Sequence, residues 1–378
     1  MKYENVIQSS LEAYKEGIKT RNKRNIFSKL LKIFEKKDLV GKNYVFVGCR
    51  YPELILSAPK SKSLLLCNNK NEVFFALRNN VDFITTSTIH YDILAAAHYK
   101  KPESLESHIK NWIQILNTAD CNIFLLSTSD SKPVNIFFIE LVKKIKKPVY
   151  QVCIQHGIFP NLEKPDYLAE GAQSSYNAVF DKSQEIQAKK YISTNESQFF
   201  ILGPPWTIQN VREVGSPKVI LVGTGGSDAY HSEYLESVSI FKKIDDSLST
   251  LGLPVSYRPH STDDRKLVKS VFKKINKDGK ATLLSGNPKI FIGFNSTLMY
   301  EAYIAGHLVI GLKSSLVESR RSFSTSQEYS TQNLSDMVSF LSSITEIRRA
   351  DNQRTTYPSL DKRLKKLTND IITNSSNF

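Results

Sequence analysis

The stretch KIFIGFNSTLMYEAYIAGHLVIGL, residues 289–312, has the pattern of a complete strand–helix–strand unit. An apolar run ends at Gly293, as in a strand covered on both faces of a parallel sheet. Small polar residues then introduce a helix that is predicted to begin near Asn295–Thr297 and to end at Gly306. Another apolar run follows. Two parallel strands joined by a helix form the βαβ unit of α/β proteins.

Similar units lie on both sides of this stretch. KVILVGTGG (218–226), PVSYRPHS (254–261) and ATLLS (281–285) are predicted strands of the same sheet. Before residue 207, seven short β-rich segments alternate with segments of helical composition. These seven segments begin at residues 43, 61, 81, 121, 148, 177 and 198. The two series predict an α/β protein of two Rossmann-like domains that face each other across a cleft.

A polar stretch, TIQNVREVGSPK (207–218), follows two prolines and is predicted to link the domains. We expect an N-terminal Rossmann-like domain with a basic helical leader over residues 1–208. A C-terminal Rossmann-like domain is expected over 209–345, and a basic amphipathic helix over 346–378.

Composition excludes several classes of protein. An apolar fraction of 40% argues against disorder, and no run approaches the roughly 20 apolar residues of a spanning helix. The first residues, MKYENVIQSSLEAYKEG, are too polar for a secretory signal. The four cysteines lack CxxC spacing and are expected to be free thiols of a reducing compartment. We therefore expect a cytoplasmic protein.

Both ends of the chain are basic and are predicted to form amphipathic helices, within a total net charge of +14. Their apolar positions are Ile26, Leu30, Ile33 and Phe34 at the start, and Leu360, Leu364, Leu367 and Ile371 at the end. Two interpretations stay open. The basic residues could be solvated faces of helices that pack on the body, or they could attract an anionic partner, either the inner face of a membrane or an anionic acceptor. We expect no nucleic-acid partner, because no exposed aromatic cluster interleaves with the basic residues.

The helix start at residues 295–297 also has two interpretations. Ser296 and Thr297 could simply cap the helix. A capping box is absent, however, because Met299 and Tyr300 stand three residues further on. Hydroxyl and amide donors at a helix N-terminus suit a phosphate. Glu301, one turn deeper, suits ribose hydroxyls, so nucleotide binding is favoured.

Two other strand ends carry residues that suit an anion. Arg258 and His260 flank a stiff proline directly after a predicted strand. Gly225 and Gly226 follow another strand and could let the backbone approach a diphosphate or an acceptor closely. Each pattern alone is also typical of an ordinary surface turn. The full dinucleotide-binding fingerprint is absent, because its third glycine is missing.

His156 is the candidate general base. It stands between Gln155 and Gly157, where the last long strand of the first domain is predicted to end and where a glycine allows a sharp bend. An imidazole suits proton transfer at neutral pH. A structural histidine is the alternative. Carboxylates that follow could orient the ring or replace it: Glu163, Asp166 and Glu170.

No metal site or cofactor is expected. The seven histidines form no HxH or HxxxH pair, and no thiolate cluster exists. The sequence also lacks a Walker A loop and a GxSxG elbow. The predicted chemistry therefore relies on side chains and backbone donors.

QHGIF (155–159), RPHS (258–261) and NSTLMYEA (295–302) together resemble bacterial GT-B glycosyltransferases of capsule and O-antigen assembly, in particular those that use CMP-activated sialic acid or Kdo. In sialyltransferase-like members an acidic pair before a glycine supplies the base, and His-Pro and Ser-Ser/Thr elements hold the CMP phosphate. This chain has Gln155-His156-Gly157 in place of the acidic pair. That departure resembles the wall teichoic acid polymerases, where a His-Gly element supplies the base.

The resemblance implies a metal-independent transferase that moves a sugar from a CMP-activated donor to a hydroxyl of a surface glycan or lipid-linked acceptor. It also implies that residues 1–208 form the acceptor domain and residues 209–345 the nucleotide-donor domain. His156 would be the base, with Gln155, Gly157 and Asn295 in support. Two alternatives stay open: transfer from a UDP-sugar or of glycerophosphate from a CDP-glycerol-type donor, and a non-catalytic nucleotide- or glycan-binding protein. The implied nucleotide-binding residues are Arg258, His260, Ser296, Thr297, Glu301, Gly225 and Gly226.

Overall fold

The computed structural model describes residues 35–36, 38–86, 89, 93, 103–129, 133–145, 147–159, 173–192, 197–208, 211–225, 231–314, 323–350 and 357–375. These residues divide into two compact units. The first contains the described residues up to 156, those of 173–207, and 357–375. The second contains residues 157–159 and the described part of 208–350.

The first unit is built on a seven-stranded parallel sheet. Its strands are β1 Tyr44–Val47, β2 Ser63–Cys67, β3 Asp82–Thr85, β4 Ile123–Ser127, β5 Val149–Ile154, β6 Tyr176–Val179 and β7 Gln198–Ile201. They lie in the order β3-β2-β1-β4-β5-β6-β7. Every residue of β2 and β4 is buried, as expected for strands covered on both faces. All seven strands predicted for this half are confirmed.

Helices connect these strands: α1 Pro52–Ser57, α2 Lys70–Asn79, α3 Glu103–Asn117, α4 Pro133–Val142 and α5 Lys182–Tyr191. Local sequence sets several of their starts. Asn69 caps α2 by accepting hydrogen bonds from the backbone N–H groups of Asn71 and Glu72, and Asp181 caps α5 in the same way. A 3₁₀ turn, Lys60–Lys62, precedes β2.

The second unit is built on a five-stranded parallel sheet. Its strands are β9 Val219–Val222, β10 Val255–Arg258, β11 Ile290–Gly293, β12 Leu308–Lys313 and β13 Gln327–Ser330. They lie in the order β10-β9-β11-β12-β13. Two short strands, β8 Val214–Gly215 and β14 Ile347–Arg348, form a separate antiparallel pair. Part of the polar stretch that was predicted as a linker is therefore strand β8.

The helices of this unit are α6 His231–Thr250, α7 Arg265–Val271, α8 Lys280–Leu283, α9 Thr297–Ala305 and α10 Leu334–Ser342. The helix predicted between residue 295 and Gly306 is confirmed as α9, and Gly306 ends it with a left-handed φ of 93°.

Two parts of the second sheet differ from the sequence prediction. ATLLS is wrongly predicted as a strand, because residues 280–283 form the one-turn helix α8 between Gly279 and Gly286. That turn buries the adjacent Leu283 and Leu284 together, which an alternating strand does not do. Strand β13 was not predicted, because it is a partly exposed edge strand of mostly polar residues without an apolar run.

The C-terminal helix α11, Leu360–Ser375, packs in the first unit and contacts α1. It buries all four apolar positions predicted for it: Leu360, Leu364, Leu367 and Ile371. The amphipathic helix at this end is thus confirmed, and its predicted counterpart at residues 26–34 lies outside the described residues. Within the predicted C-terminal segment 346–378, residues 346–350 group with the second unit and 357–375 with the first. No helix of the described chain is long and apolar enough to cross a membrane.

Candidate active site

The three candidate loops of the second unit begin at one edge of its sheet. Arg258 pairs with Val222 in register, and Ile292 pairs with Leu221, so β9, β10 and β11 end at the same level. The chain places β10 on one side of β9 and β11 on the other. Such a reversal of strand order is the position where open α/β sheets bind ligands.

Gly225 contacts His260 and Thr262 at this edge. Its φ is +87°, and a Cβ added there would lie 2.5 Å from His260 Nδ1 and 2.6 Å from Thr262 Oγ1. His260 Nδ1 lies 2.8 Å from Thr262 Oγ1 and accepts a hydrogen bond from Thr262 N. Because Nδ1 accepts, the neutral ring carries its proton on Nε2. The exposed imidazole therefore presents an N–H donor beside a glycine turn.

Asp263 stabilises the His260 loop through hydrogen bonds of its carboxylate. Its Oδ2 accepts hydrogen bonds from His260 N and from Tyr257 Oη, both at 2.9 Å. Its Oδ1 is buried without a hydrogen-bond partner among the described residues. Burial, and after it the charge of Asp263, raises the pKa of Tyr257, which keeps the phenol protonated as a donor. Asp263 and Thr262 are not among the predicted site residues, although both stand in STDD (261–264), directly after His260.

Arg258 ends β10 and is half-buried. Its Nη1 donates to the backbone carbonyls of Asp278, at 2.7 Å, and Asn276, at 3.4 Å. These bonds fix one end of the guanidinium fork. They leave Nε and Nη2 as the donors that an anion could use.

Ser296 is the N-cap of α9, because its hydroxyl accepts a hydrogen bond from Leu298 N at 3.3 Å. The structure thus contains the capping contact that the sequence left as an alternative. Thr297 makes a different contact: its Oγ1 accepts from Ile158 N at 3.4 Å. Asn295 lies directly before the cap and is half-buried. The start of α9 therefore brings two hydroxyls and an amide side chain together, while the N–H groups of Leu298, Met299 and Tyr300 donate to Ser296.

Glu301 lies one turn further along α9 and is buried, with 3% of its surface exposed. Its Oε1 accepts from Lys280 Nζ at 2.6 Å, and 51% of the Lys280 side chain is exposed. The carboxylate is therefore neutralised by a lysine at the protein surface. Its predicted contact with a ribose stays a prediction.

In the first unit, Gln155 fixes the chain immediately before His156. The Gln155 side chain accepts from Phe180 N at 2.9 Å and donates to Gln184 Oε1 at 2.6 Å. Its backbone carbonyl accepts from Tyr51 Oη at 2.9 Å. These contacts tie the end of β5 to neighbouring elements. The buried amide of Gln155 thus has its hydrogen-bond partners. Because Gln155 is held in place, the half-buried His156 that follows it is restricted in position.

Gly157 lies at a bend of the chain, as the sequence predicted. Its φ lies outside the left-handed region, so a sharp bend does not require glycine here. A Cβ at this position would lie 3.4 Å from Thr297 Oγ1, an ordinary contact. The remaining candidates lie outside the described residues: Gly226, Glu163, Asp166 and Glu170.

In the part of the chain that the structure describes, no three His, Cys, Asp or Glu residues are grouped to hold a metal ion. All four cysteines are free thiols.

No protein-family model matches the sequence. A BRD4-interacting chromatin-remodeling complex-associated protein-like protein of Mus musculus is 30% identical over 126 residues, which is 29% of this chain and 12% of that protein. Because so little of that protein is spanned, nothing about its activity is carried over to this chain.

Solved structures give broader matches. A glycosyltransferase from Rickettsia africae has a TM-score of 0.50 at 10% identity, covering 86% of this chain and 94% of that one. Anabaena HepE, in complex with UDP and glucose, has a TM-score of 0.51 at 7% identity, covering 87% and 99%. The chain has the GT-B fold. The wall teichoic acid polymerase TagF matches with a TM-score of 0.45 at 11% identity over 98% of this chain, which is too low to support an argument.

The GT-B fold confirms the predicted fold class of two Rossmann-like α/β domains. Within the second sheet, Gly225 contacts His260. Arg258, Ser296 and Thr297 lie at the same edge of that sheet or directly after it. Identities this low establish the fold alone. The roles of all these residues are therefore proposals.

Proposed function

We propose that this chain is a glycosyltransferase that moves a sugar from a nucleotide-activated donor to a hydroxyl of a bacterial surface glycan or lipid-linked acceptor. The observation that carries the proposal is the contact of Gly225 with His260 and Thr262 at the ligand-binding edge of the second sheet. The GT-B fold supports it. CMP-activated nonulosonic acid or Kdo is the proposed donor, because the RPHS and NSTLMYEA motifs resemble those of CMP-sugar transferases.

The second unit is proposed to stabilise the departing nucleotide. In the reaction the bond between the anomeric carbon and the phosphate oxygen breaks, and the phosphate leaves with the electron pair. His260 Nε2–H, the remaining donors of Arg258, and the hydroxyls at the positive dipole end of α9 suit the charge that develops on that oxygen. Donors held in place before the reaction accelerate it, because they need no reorganisation in the transition state.

His156 is proposed to remove the proton from the acceptor hydroxyl while its oxygen bonds to the anomeric carbon. An imidazole suits this step at neutral pH. The hydrogen bonds of Gln155 support the proposal, because they limit where the next residue lies.

A binding screen tests the donor. Calorimetry with CMP, CDP, UDP and GDP should show CMP as the tightest ligand. UDP as the tightest would favour the UDP-sugar alternative, and this alternative gains support from HepE, which is in complex with UDP. CDP would favour a glycerophosphotransferase, as the His156-Gly157 pair in place of an acidic pair also suggests. No binding of any nucleotide would contradict the whole proposal.

Replacing the base tests catalysis. His156→Ala should abolish transfer of sugar to the acceptor and leave nucleotide affinity nearly unchanged, because the proton acceptor is lost while the phosphate donors remain. The same replacement at His108, a half-buried histidine of α3, is the matched control and should retain activity. Substantial turnover by His156→Ala would remove this residue from the base role. Binding of donor by the wild-type protein with no transfer or hydrolysis under any acceptor would identify a non-catalytic binding protein.

A further inference from the structure

A dense group of positive charges follows the His260 loop in the second unit. Residues 265–277 contain six Lys or Arg and no Asp or Glu. All six side chains are exposed: Arg265, Lys266, Lys269, Lys273, Lys274 and Lys277. We name these six residues the 265–277 basic surface.

The apolar residues of the same segment anchor it to the core of the unit. Val268 and Phe272 are buried, with 1% and 4% of their surface exposed. The Phe272 ring stacks on Tyr257 with ring centroids 4.0 Å apart and planes inclined by 2°. These apolar side chains pack into the core, whereas the six cations of the segment are exposed to solvent.

Nearby carboxylates are engaged in other contacts. Asp264 caps α7 by accepting from two backbone N–H groups. Asp263 is buried and accepts from Tyr257 and His260. Asp278 accepts from Asn276 Nδ2 at 3.1 Å. Within the described residues, none of the six cations of the basic surface makes an ion pair.

The predominance of lysine over arginine in the basic surface indicates which class of anionic partner it suits. Five of the six residues are lysines, whose compact ammonium groups suit diffuse attraction, whereas arginine suits bidentate recognition of a fixed phosphate. No large apolar side chain is exposed among the described residues after Leu251. The surface therefore lacks both the stacking rings typical of single-stranded nucleic-acid sites and the apolar residues that insert into a bilayer.

We propose that the 265–277 basic surface docks the second unit onto the anionic headgroups of a lipid bilayer. Clusters of four to eight Lys and Arg bind anionic leaflets by this kind of attraction, and the force falls off within about a Debye length. The docking is electrostatic adsorption without insertion. It is independent of the sugar-transfer proposal, because the surface contains none of the proposed reacting or nucleotide-binding residues.

Vesicle sedimentation of the full chain tests the inference. The variant Lys266→Gln/Lys269→Gln/Lys273→Gln removes three charges of the surface. The variant Lys60→Gln/Lys62→Gln/Lys70→Gln removes three exposed charges from the first unit and is the matched control. On phosphatidylcholine vesicles containing phosphatidylglycerol at low salt, the first variant should partition at least ~10-fold more weakly than wild type. The control should partition close to wild type, and high salt should release all three proteins.

Several outcomes would overturn the proposal. Equal losses in the two triple variants would mean that net charge alone matters. Equal binding to vesicles of phosphatidylcholine alone would indicate an apolar contact instead. Unchanged vesicle binding with weakened retention on heparin would assign the surface to a polyanionic glycan. Thermal unfolding by circular dichroism checks that each variant is folded, and a second surface variant, Lys274→Gln/Lys277→Gln, should give a smaller loss in the same direction.

Discussion

Gly225 has a positive φ, and the space where a side chain would stand is occupied by His260 Nδ1 and Thr262 Oγ1. Position 225 therefore favours glycine for two reasons: its backbone conformation is one that glycine adopts easily, and a neighbouring loop approaches it closely. The same loop is held by Asp263 through His260 N. At the residue scale, the candidate nucleotide site depends on this small set of contacts.

Gly225→Ala should weaken nucleotide binding measurably, because the new methyl group must displace His260 or Thr262. Gly252→Ala is the matched control: Gly252 also has a positive φ, +74°, but nothing lies within 4 Å of an added Cβ. Both changes should lower the free energy of unfolding through left-handed strain, by about 1–2 kcal/mol. Only Gly225→Ala should also lower nucleotide affinity in calorimetry. Equal affinities for the two variants would show that the Gly225 turn is not part of the site.

At the scale of elements, α9 combines a cap with a candidate phosphate site. Ser296→Ala with Thr297→Ala should weaken nucleotide binding by about 1–3 kcal/mol, the range for lost hydrogen bonds to a charged group. It should also destabilise the second unit by about 1 kcal/mol through loss of the Ser296 cap. Calorimetry and denaturant unfolding measure the two effects separately. Lost stability with unchanged affinity would leave Ser296 with the capping role alone.

Helix α11 is fixed to the first unit by a buried arginine. Arg363 Nη1 donates to the carbonyls of Leu202 and Pro204 at 3.0 and 2.6 Å, and its Nε donates to Pro358 O at 2.9 Å. Burial lowers the pKa of Arg363, although an arginine still stays charged at neutral pH. The arginine therefore joins the end of β7 to the start of α11.

Arg363→Ala should lower the free energy of unfolding of the first unit by about 3 kcal/mol, because it leaves buried carbonyl oxygens without their donor. Lys366→Ala on the same helix is the control. Its ion pair with Asp370 is exposed, so that change should cost less than about 1 kcal/mol. Denaturant unfolding measures both. Similar losses for the two variants would show that the Arg363 contacts are dispensable.

At the scale of the whole molecule, stability in acid should depend on His307, which is fully buried in the second unit. Its Nδ1 accepts from Lys289 N at 3.1 Å. Burial, and after it the charge of Lys289, lowers the pKa of His307 from 6.5 to about 4. Because the folded state binds this proton less readily than the unfolded state does, the stability is complete above pH 6.5 and is lost as the pH falls towards about 4.

This shift corresponds to a loss of about 3 kcal/mol in the free energy of unfolding of the second unit between those pH values. His307→Gln should flatten the pH dependence and lower stability at neutral pH, because the buried ring is lost. Unfolding should be followed with a probe of the second unit, since a chain of two units need not unfold in one step. Parallel curves for wild type and variant would exclude His307 as the source.

The predicted sheet elements of both halves followed from local patterns, with the exception of ATLLS. Apolar runs such as those of β2 and β4 are buried on both faces wherever they pack, so their sequence alone indicates parallel strands. The helix start at Ser296 and the helix end at Gly306 were likewise local signals. Strand β13 carried no such signal, because edge strands can be polar.

The α/β class and the two series of strands can be predicted from the sequence, because hydrophobic periodicity and turn residues act over a few neighbouring positions. The folded structure, by contrast, was needed to show that α11 packs in the first unit and that residues 280–283 form a helix. It also decided which of the candidate anion-binding residues meet: Gly225 contacts His260 and Thr262, while Glu301 is paired with Lys280. Those outcomes depend on the register between strands and on contacts between residues far apart in the chain, and local composition does not encode either one.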